Sequence, residues 1–208
     1  QYSSKIRLVY EVTGNYYKDT SKNVVMRTFV AIEISDKNII KSIKKFQKEI
    51  HIDAKAVESN NLHFTLQFLG EISDDVSQKI IQALHTIKFS SFNVNLKGIG
   101  VFPKPKFPRV VWIGTDNNGG DLLIQLSQKV KKVLEPLGFI SDKTFKPHIT
   151  VFRIKNKIGD MTKEMKSQGE IDFGIQKITN IKLKKSELTP NGPVYSDLEE
   201  ISAIIWKN

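Results

Sequence analysis

The chain repeats one short pattern, histidine-x-threonine, in residues 61–70, NLHFTLQFLG, and in residues 145–152, FKPHITVF. Apolar and polar residues alternate around each copy, as they do in a β-strand with one buried face. Successive side chains of a strand point to opposite faces, so each histidine shares a face with the threonine two residues later. Two such strands that face each other would form a symmetric anion-binding site with two titratable imidazoles.

Strict alternation predicts which side chains each strand buries. On the open face we expect His63, Thr65 and Gln67 in the first strand, and His148 and Thr150 in the second. The opposite faces are expected to be buried, and they carry the apolar side chains Leu62, Phe64, Leu66, Phe68, Ile149 and Val151. Each motif is therefore predicted to lie over a core and to point away from it.

The composition is that of a globular protein with a basic surface. Of the 208 residues 39% are hydrophobic, and the formal net charge is +10. A basic excess favours anionic partners such as RNA or nucleotides, and a lysine-rich surface that only keeps the protein in solution is the alternative. Because the chain has no cysteine, disulfides, thiolate nucleophiles and cysteine-ligated zinc are excluded.

Hydropathy gives an expectation for location. No apolar run approaches the roughly 18 residues that a membrane-spanning helix needs, and the first residues lead into no apolar core of the signal-peptide type. We therefore expect a cytoplasmic protein that does not bind membranes. Nothing in the pattern requires an oligomer, so we expect a monomer.

Residues 1–25 differ from the rest of the chain. They are polar, rich in tyrosine and loosely patterned, with a short strand predicted at Ile6–Val12. A well-patterned strand then follows Met26, from Arg27 to Ile34. We expect Met26 to be the functional start, with residues 1–25 an extension of unassigned role and residues 26–208 a single bilobal domain.

Three amphipathic helices follow recognisable start signals. Ser35-Asp36 precedes the first, Ser73 the second and Gly119-Gly120-Asp121 the third, which Gly138 is expected to end. A polar stretch at 156–169 predicts a short fourth helix. Further strands are predicted at 92–96, 110–114, 171–175, 178–188 and 194–206.

The order of these elements predicts an α+β fold. A strand, a helix and a histidine-x-threonine strand follow one another once in each half, which indicates a duplicated unit with pseudo-twofold symmetry. Strands and helices do not alternate strictly, so a doubly wound parallel sheet is disfavoured. We expect two antiparallel sheets that face each other across a central cleft, with the helices outside.

Two histidines and two threonines on one cleft suit phosphodiester hydrolysis. Histidine titrates near neutral pH, so one imidazole can deprotonate water while the other protonates the departing oxygen. Threonine hydroxyls can donate to the nonbridging oxygens as charge develops on phosphorus. This chemistry needs no metal and no cofactor. The two half-sites look alike, so the residues alone leave open which histidine is the acid.

Several further stretches resemble those of the two-histidine phosphoesterases, and most closely the branch of RNA 2′,3′-cyclic phosphodiesterases, historically called 2′-5′ RNA ligases. The resemblance runs from Met26 to near the C-terminus. Besides the two motifs it rests on Arg27-Thr28-Phe29-Val30-Ala31-Ile32, Phe68-Leu69-Gly70, Pro108-Arg109-Val110-Val111-Trp112, Ser186-Glu187-Leu188 and Gly192-Pro193-Val194-Tyr195. It implies hydrolysis of a ribose 2′,3′-cyclic phosphate to a 2′-phosphomonoester.

The resemblance also implies roles for individual residues. His63 would be the general acid that protonates the O3′ leaving group, and His148 the general base that activates water. Thr65 and Thr150 would hold the phosphate oxygens. Arg153, five residues after His148, matches a basic position near the phosphate in this branch. No metal ion takes part, and the partner would be an RNA end or a nucleotide with a cyclic phosphate.

Three more residues are candidates for substrate contact. Lys146 precedes the second motif and could bind phosphate, although a solvated lysine is an equal alternative. Phe107 and Phe145 could stack on a base, although core packing is the commoner position of a phenylalanine.

Two further aromatic residues and the two remaining histidines are assigned no role in the chemistry. Trp112 lies in an apolar strand and is expected in the core. Tyr195 could reach the cleft. His51 and His85 lack the motif context, so we expect them to be structural or exposed.

Two alternatives to hydrolysis of RNA ends stay open. The same cleft could join ends through a 2′-5′ linkage or hydrolyse a small cyclic nucleotide. A noncatalytic module that only binds RNA or nucleotides is the other alternative, which the intact histidines and threonines disfavour.

Overall fold

The computed structural model of this protein describes residues 25–141, 144–156, 158–190 and 192–204. The strand predicted at Ile6–Val12 lies outside the described residues. Within them, none of the helices is both long and apolar enough to cross a membrane.

The described chain forms nine strands and four α-helices. The helices are α1 Lys37–Glu49, α2 Asp74–His85, α3 Asn117–Leu134 and α4 Thr162–Gln168. The strands are β1 Met26–Glu33, β2 Lys55–Ala56, β3 His63–Ile72, β4 Phe92–Phe102, β5 Val110–Thr115, β6 Ile149–Arg153, β7 Asp172–Ile178, β8 Asn180–Thr189 and β9 Gly192–Ser202. Short 3₁₀ turns lie at Ser59–Asn61 and Glu135–Leu137.

The strands pair in the order β7-β4-β5-β6-β3-β1-β8-β9, with β2 beside β6, and every pair of strands is antiparallel. The predicted antiparallel α+β class is confirmed. The two sheets that the sequence predicted are two halves of one continuous sheet, which are joined where Phe64 pairs with Ile149. The duplication within the chain stays a prediction.

Side-chain caps fix where the helices begin. The Asp36 carboxylate accepts hydrogen bonds from the backbone N–H groups of Asn38 and Ile39, and the Ser73 hydroxyl accepts one from Val76. The third helix begins earlier than predicted, because Asp116 caps it by accepting from the Gly119 backbone. Gly119 is therefore inside α3, where a Cβ would come within 2.8 Å of the Val94 Cα. Only glycine allows this helix to lie so close to β4.

Other predicted boundaries fit the structure closely. Gly138 adopts the left-handed conformation, with φ of 88°, and ends the turn that continues α3. The short helix predicted at 156–169 is α4. The last three strands lie at the predicted places with shifted ends.

The helices and the sheet share one hydrophobic core. Fully buried side chains of α1, α2 and α3 pack with the apolar face of the sheet, among them Ile39, Ile43, Ile80, Leu84, Leu123, Phe64 and Ile149. Because the helices cover this face, the residues that alternate with Phe64 and Ile149 point to the other one.

The first motif strand departs from strict alternation. Val30 pairs with Gln67 but Ala31 pairs with Thr65, so Leu66 is an extra residue of β3 in a β-bulge. A second shift, between Thr28 and Phe29, leaves Leu69 unpaired as well. Between these two irregularities the faces are exchanged. Gln67, predicted on the open face, is buried and donates from Nε2 to the carbonyl oxygen of Phe139 at 2.8 Å. Phe68, predicted in the core, is 70% exposed.

Substitution of Gly100 tests how tightly β4 and β5 pack. A Cβ on this residue would lie 2.1 Å from the Trp112 ring, so Gly100→Ala must displace a large rigid side chain. We expect a loss of about 1–3 kcal/mol of unfolding free energy, measured by urea denaturation. Gly159 has open space around it, so Gly159→Ala should change stability little. Equal losses in the two variants would contradict the packing argument.

Candidate active site

The two motifs meet where the halves of the sheet join. Phe64 of β3 pairs with Ile149 of β6, and both side chains are fully buried on the helix-covered face. The antiparallel register, continued by one residue in each direction, sets His63 opposite Thr150 and Thr65 opposite His148. These four side chains share the open face. The two motif strands are therefore neighbours in the sheet.

Each histidine is held by the backbone two residues before it. The Nδ1 of His63 lies 2.8 Å from the carbonyl oxygen of Asn61, and the Nδ1 of His148 lies 2.7 Å from that of Lys146. A carbonyl oxygen only accepts hydrogen bonds, so Nδ1 carries the proton in both rings. This leaves each Nε2 to accept or donate a proton at the cleft. The same hydrogen bond, from Nδ1 to the carbonyl oxygen two residues earlier, therefore orients both histidines.

Aromatic rings fix the first histidine. The His63 ring packs against Phe29 at 5.1 Å and edge-on against Tyr195 at 5.4 Å between centroids. Phe29 and Tyr195 also touch each other, at 5.0 Å. The Asn61 side chain donates to the carbonyl oxygen of Pro193 at 3.1 Å, which ties the β8–β9 hairpin to the segment before His63. Tyr195, which was assigned no role from its sequence context, thus contacts the His63 ring.

A second aromatic pair fixes the other histidine. The His148 ring lies edge-on to Phe102 at 5.1 Å and to Trp112 at 6.3 Å, and these two rings lie 5.3 Å apart. Trp112 was expected in the core, but it is only half-buried and packs at the cleft. Its place follows from pairing, because Trp112 is opposite Thr150 and shares its face.

Burial and positive charge keep both histidines neutral. Burial lowers the pKa of His63 to about 4, the charges of Lys184 and Arg153 add to this effect, and the hydrogen bond to Asn61 and the Glu33 carboxylate oppose it. Burial also lowers the pKa of His148, again with help from Arg153. Arg153, at the end of β6, therefore acts electrostatically on both rings.

A network of four charged residues stands beside His63, and the sequence reading missed it. Glu33 pairs with His63 across β1 and β3. Lys182 Nζ lies 2.6 Å from a Glu33 oxygen and 2.5 Å from an Asp197 oxygen. Lys184, only 3% exposed, donates to both carboxylates as well. The lysine-x-lysine spacing in β8 was the available signal, but one acidic partner, Glu33, lies 149 residues from Lys182 in the chain.

The other predicted contact residues lie in different settings. Phe107 is exposed on the β4–β5 loop, where the Lys104 ammonium lies 5.2 Å from its ring centroid. Phe145 packs against the hydrophobic core. The Lys146 side chain is exposed, and its backbone carbonyl holds His148.

The remaining histidines lie apart from this arrangement. His51 and His85 are exposed, and the Nε2 of His85 lies 3.3 Å from a Glu199 oxygen. No group of three histidine, aspartate or glutamate side chains that could hold a metal ion occurs among the described residues.

Comparison with known proteins identifies the family of this chain. The family described as the AKAP7 2′5′ RNA ligase-like domain matches residues 27–202. The RNA 2′,3′-cyclic phosphodiesterase of Archaeoglobus fulgidus is 40% identical over 175 residues, which are 83% of this chain and 98% of the relative. The one of Methanocaldococcus jannaschii is 36% identical over 84% of this chain and 99% of the relative.

Solved structures show the same fold. The crystal structure of a Thermus thermophilus protein, 28% identical, superposes with a TM-score of 0.73 over 85% of this chain and 97% of the other. LigT of E. coli in its apo form superposes with a TM-score of 0.69 at 24% identity, over 86% of this chain and 98% of the other. The chain belongs to the 2′-5′ RNA ligase-like family of two-histidine phosphoesterases.

Lys184 tests the importance of the charged network. Lys184→Met removes one of the two lysine partners of Glu33, which is partly buried, and of Asp197, which is exposed. We expect a loss of about 2 kcal/mol of unfolding free energy, the usual size for hydrogen bonds to charged groups. The neighbouring Lys185, which pairs with the exposed Glu187, supplies the control, since Lys185→Met should cost less than about 1 kcal/mol. Urea unfolding measures both. A loss for Lys184→Met no larger than that for Lys185→Met would disprove the network's contribution.

The lowered pKa of His63 predicts a loss of stability in acid. Between the ordinary value of 6.5 and the folded value of about 4, the unfolded chain binds more protons than the folded one. The free energy of unfolding therefore falls as pH drops through this window, by up to about 1.4 kcal/mol per pH unit. We expect His63→Gln to lose less stability than the wild type on going from about pH 7 to about pH 5, as urea unfolding would show. His51→Gln, which removes an exposed histidine, should behave as the wild type, and an unchanged pH dependence in His63→Gln would refute the assignment.

Proposed function

We propose that this protein hydrolyses the 2′,3′-cyclic phosphate at the end of an RNA chain and leaves a 2′-phosphomonoester. The observation that carries the proposal is the junction of β3 and β6, where two histidine-x-threonine motifs share one face and each histidine keeps Nε2 available. Relatives that align over nearly their whole length carry the name RNA 2′,3′-cyclic phosphodiesterase, which supports the same activity here.

The two histidines would divide the proton transfers. His148 Nε2 takes a proton from water as the water oxygen attacks phosphorus. The bond between phosphorus and O3′ breaks, and His63 Nε2 gives its proton to O3′. The 2′ oxygen keeps the phosphoryl group. Because Nδ1 of each ring is bound to a carbonyl oxygen, the hydrogen bond would stabilise the protonated form that each ring adopts during the cycle.

Substrate binding would give His63 its proton. In the unliganded protein the pKa of His63 is about 4, so the ring is neutral at neutral pH. A phosphate anion at Nε2 favours the charged form of an imidazole and also balances the charge of Arg153, which otherwise lowers the pKa. The acid would therefore be protonated together with the arrival of the anion.

The remaining residues would hold the anion and its sugar. Thr65 and Thr150 stand opposite the histidines on the open face, where their hydroxyls would donate to nonbridging oxygens. Arg153 suits the same oxygens, because its guanidinium can donate two hydrogen bonds to one phosphate. Lys146, Phe107 and Phe145 have weaker support, since none of these side chains has a described contact with either histidine ring.

The proposal is tested with an oligonucleotide that ends in a 2′,3′-cyclic phosphate, in excess chelator. Wild-type protein should turn it over, and His63→Ala and His148→Ala should each lose at least about 100-fold in kcat/KM, the usual size of general acid–base catalysis. His85→Ala, at an exposed histidine away from the site, should keep the wild-type rate. The product should carry a 2′-phosphate.

Two results would refute this account. Wild-type rates in both active-site variants would exclude the histidines from the chemistry. A product with a 3′-phosphate would show that the bond to O2′ breaks, against the assignment of O3′ as the leaving group.

A further inference from the structure

Phe68 is an exposed aromatic residue whose ring contacts the active site through a second ring, that of Phe29. It is 70% exposed, and its ring lies 6.2 Å from that of Phe29. Phe29 in turn lies 5.1 Å from His63 and is itself only 3% exposed. The exposed ring therefore stands on the same side of the sheet as His63, with a single buried ring between them.

The bulge in β3 is the reason why the Phe68 ring is exposed. The bulge at Leu66 exchanges the faces of β3, which buries Gln67 and turns Phe68 outward. The buried Gln67 amide is anchored by its hydrogen bond to Phe139. A large apolar side chain that is turned toward solvent loses the stabilisation that burial would give. Contact with a substrate would recover it.

We propose that Phe68 is a stacking platform for the base of the nucleotide that precedes the cyclic end of an RNA chain. The inference rests on the proposed function. A cyclic nucleotide bound at His63 continues only through its 5′ oxygen, so the preceding nucleotide must lie within one nucleotide length of the histidine. Only the Phe29 ring separates Phe68 from His63, at centroid distances of 6.2 and 5.1 Å, and a base that stacks on an exposed aromatic ring gains affinity.

The charge of the protein agrees with a polyanionic substrate. The net charge is +10, and an RNA chain brings one further phosphate with each nucleotide, so basic residues gain contacts as the substrate grows. Charge attracts any RNA, whereas Phe68 adds a contact that a mononucleotide cannot make. The platform would therefore favour RNA ends over free nucleoside 2′,3′-cyclic phosphates.

Two matched substrates isolate this contact. One is a nucleoside 2′,3′-cyclic phosphate, and the other is the dinucleotide with the same cyclic end and one preceding nucleotide. The measured quantity is the ratio of kcat/KM on the dinucleotide to kcat/KM on the mononucleotide. We expect Phe68→Ala to lower this ratio about tenfold, the equivalent of one stacked base, mainly through a higher KM. Phe68→Trp, which keeps a stacking ring, should retain the ratio.

A control variant and a second readout complete the test. Ile175 is another exposed apolar residue, 61% exposed on the distant edge strand β7, so Ile175→Ala should leave the ratio unchanged. Binding is followed separately with 2-aminopurine as the preceding base, in a His148→Ala background so that no product forms. Stacking on Phe68 should quench the fluorescence, and Phe68→Ala should remove the quenching.

The outcomes distinguish this inference from the function on which it rests. If Phe68→Ala keeps both the wild-type ratio and the quenching, the platform is refuted while the phosphodiesterase activity stands. Equal losses on the two substrates, in a variant that unfolds in urea as the wild type does, would place Phe68 at the terminal nucleotide and also overturn the proposal. If the wild type turns over neither substrate, the proposed function fails and the platform with it.

Discussion

The pairing of Phe64 with Ile149 is the contact on which the site depends. Both side chains are fully buried, and this pair joins β3 to β6 and hence the two halves of the sheet. Because strand side chains alternate, burying these two residues turns the histidine and threonine on either side of each toward the open face. A slip of one residue in either strand would exchange the faces and send a histidine into the core. The hydrophobic core thus sets the register, and the register builds the site.

The two half-sites share their backbone geometry but differ in charge. Each histidine is held through Nδ1 by a carbonyl two residues earlier and is flanked by two aromatic rings. Among the described residues, only His63 has a carboxylate opposite it in the sheet: Glu33, which pairs with Lys182 and Lys184. This difference separates two rings that the sequence motifs left equivalent. The charged network thus distinguishes the surroundings of His63, the proposed acid, from those of His148, the proposed base.

Local signals predicted most of the fold, and pairing between distant strands decided the rest. Helix starts at Asp36 and Ser73 were predictable, because a cap needs only the residues that follow it. The bulge at Leu66 was not, since it exists only in the register of β3 against β1. For the same reason Phe68 was assigned to the core and Trp112 was not expected at the cleft. The charged network was missed because its acids and lysines come from three different strands, β1, β8 and β9.

Because of the bulge, the single strand β3 contributes residues to the core, the histidine-x-threonine motif and the exposed Phe68 ring. Before the bulge, β3 alternates between core residues and the catalytic motif, and after it the strand presents Phe68 to solvent on the same side as His63. A strand without the extra residue would turn Phe68 into the core and Gln67 to the cleft, as the simple pattern predicted. The hydrogen bond from Gln67 to Phe139 offsets part of the cost of burying an amide. The structure therefore holds a polar side chain in its interior while an aromatic ring faces solvent on the side of His63, which is the position that the proposed stacking contact requires.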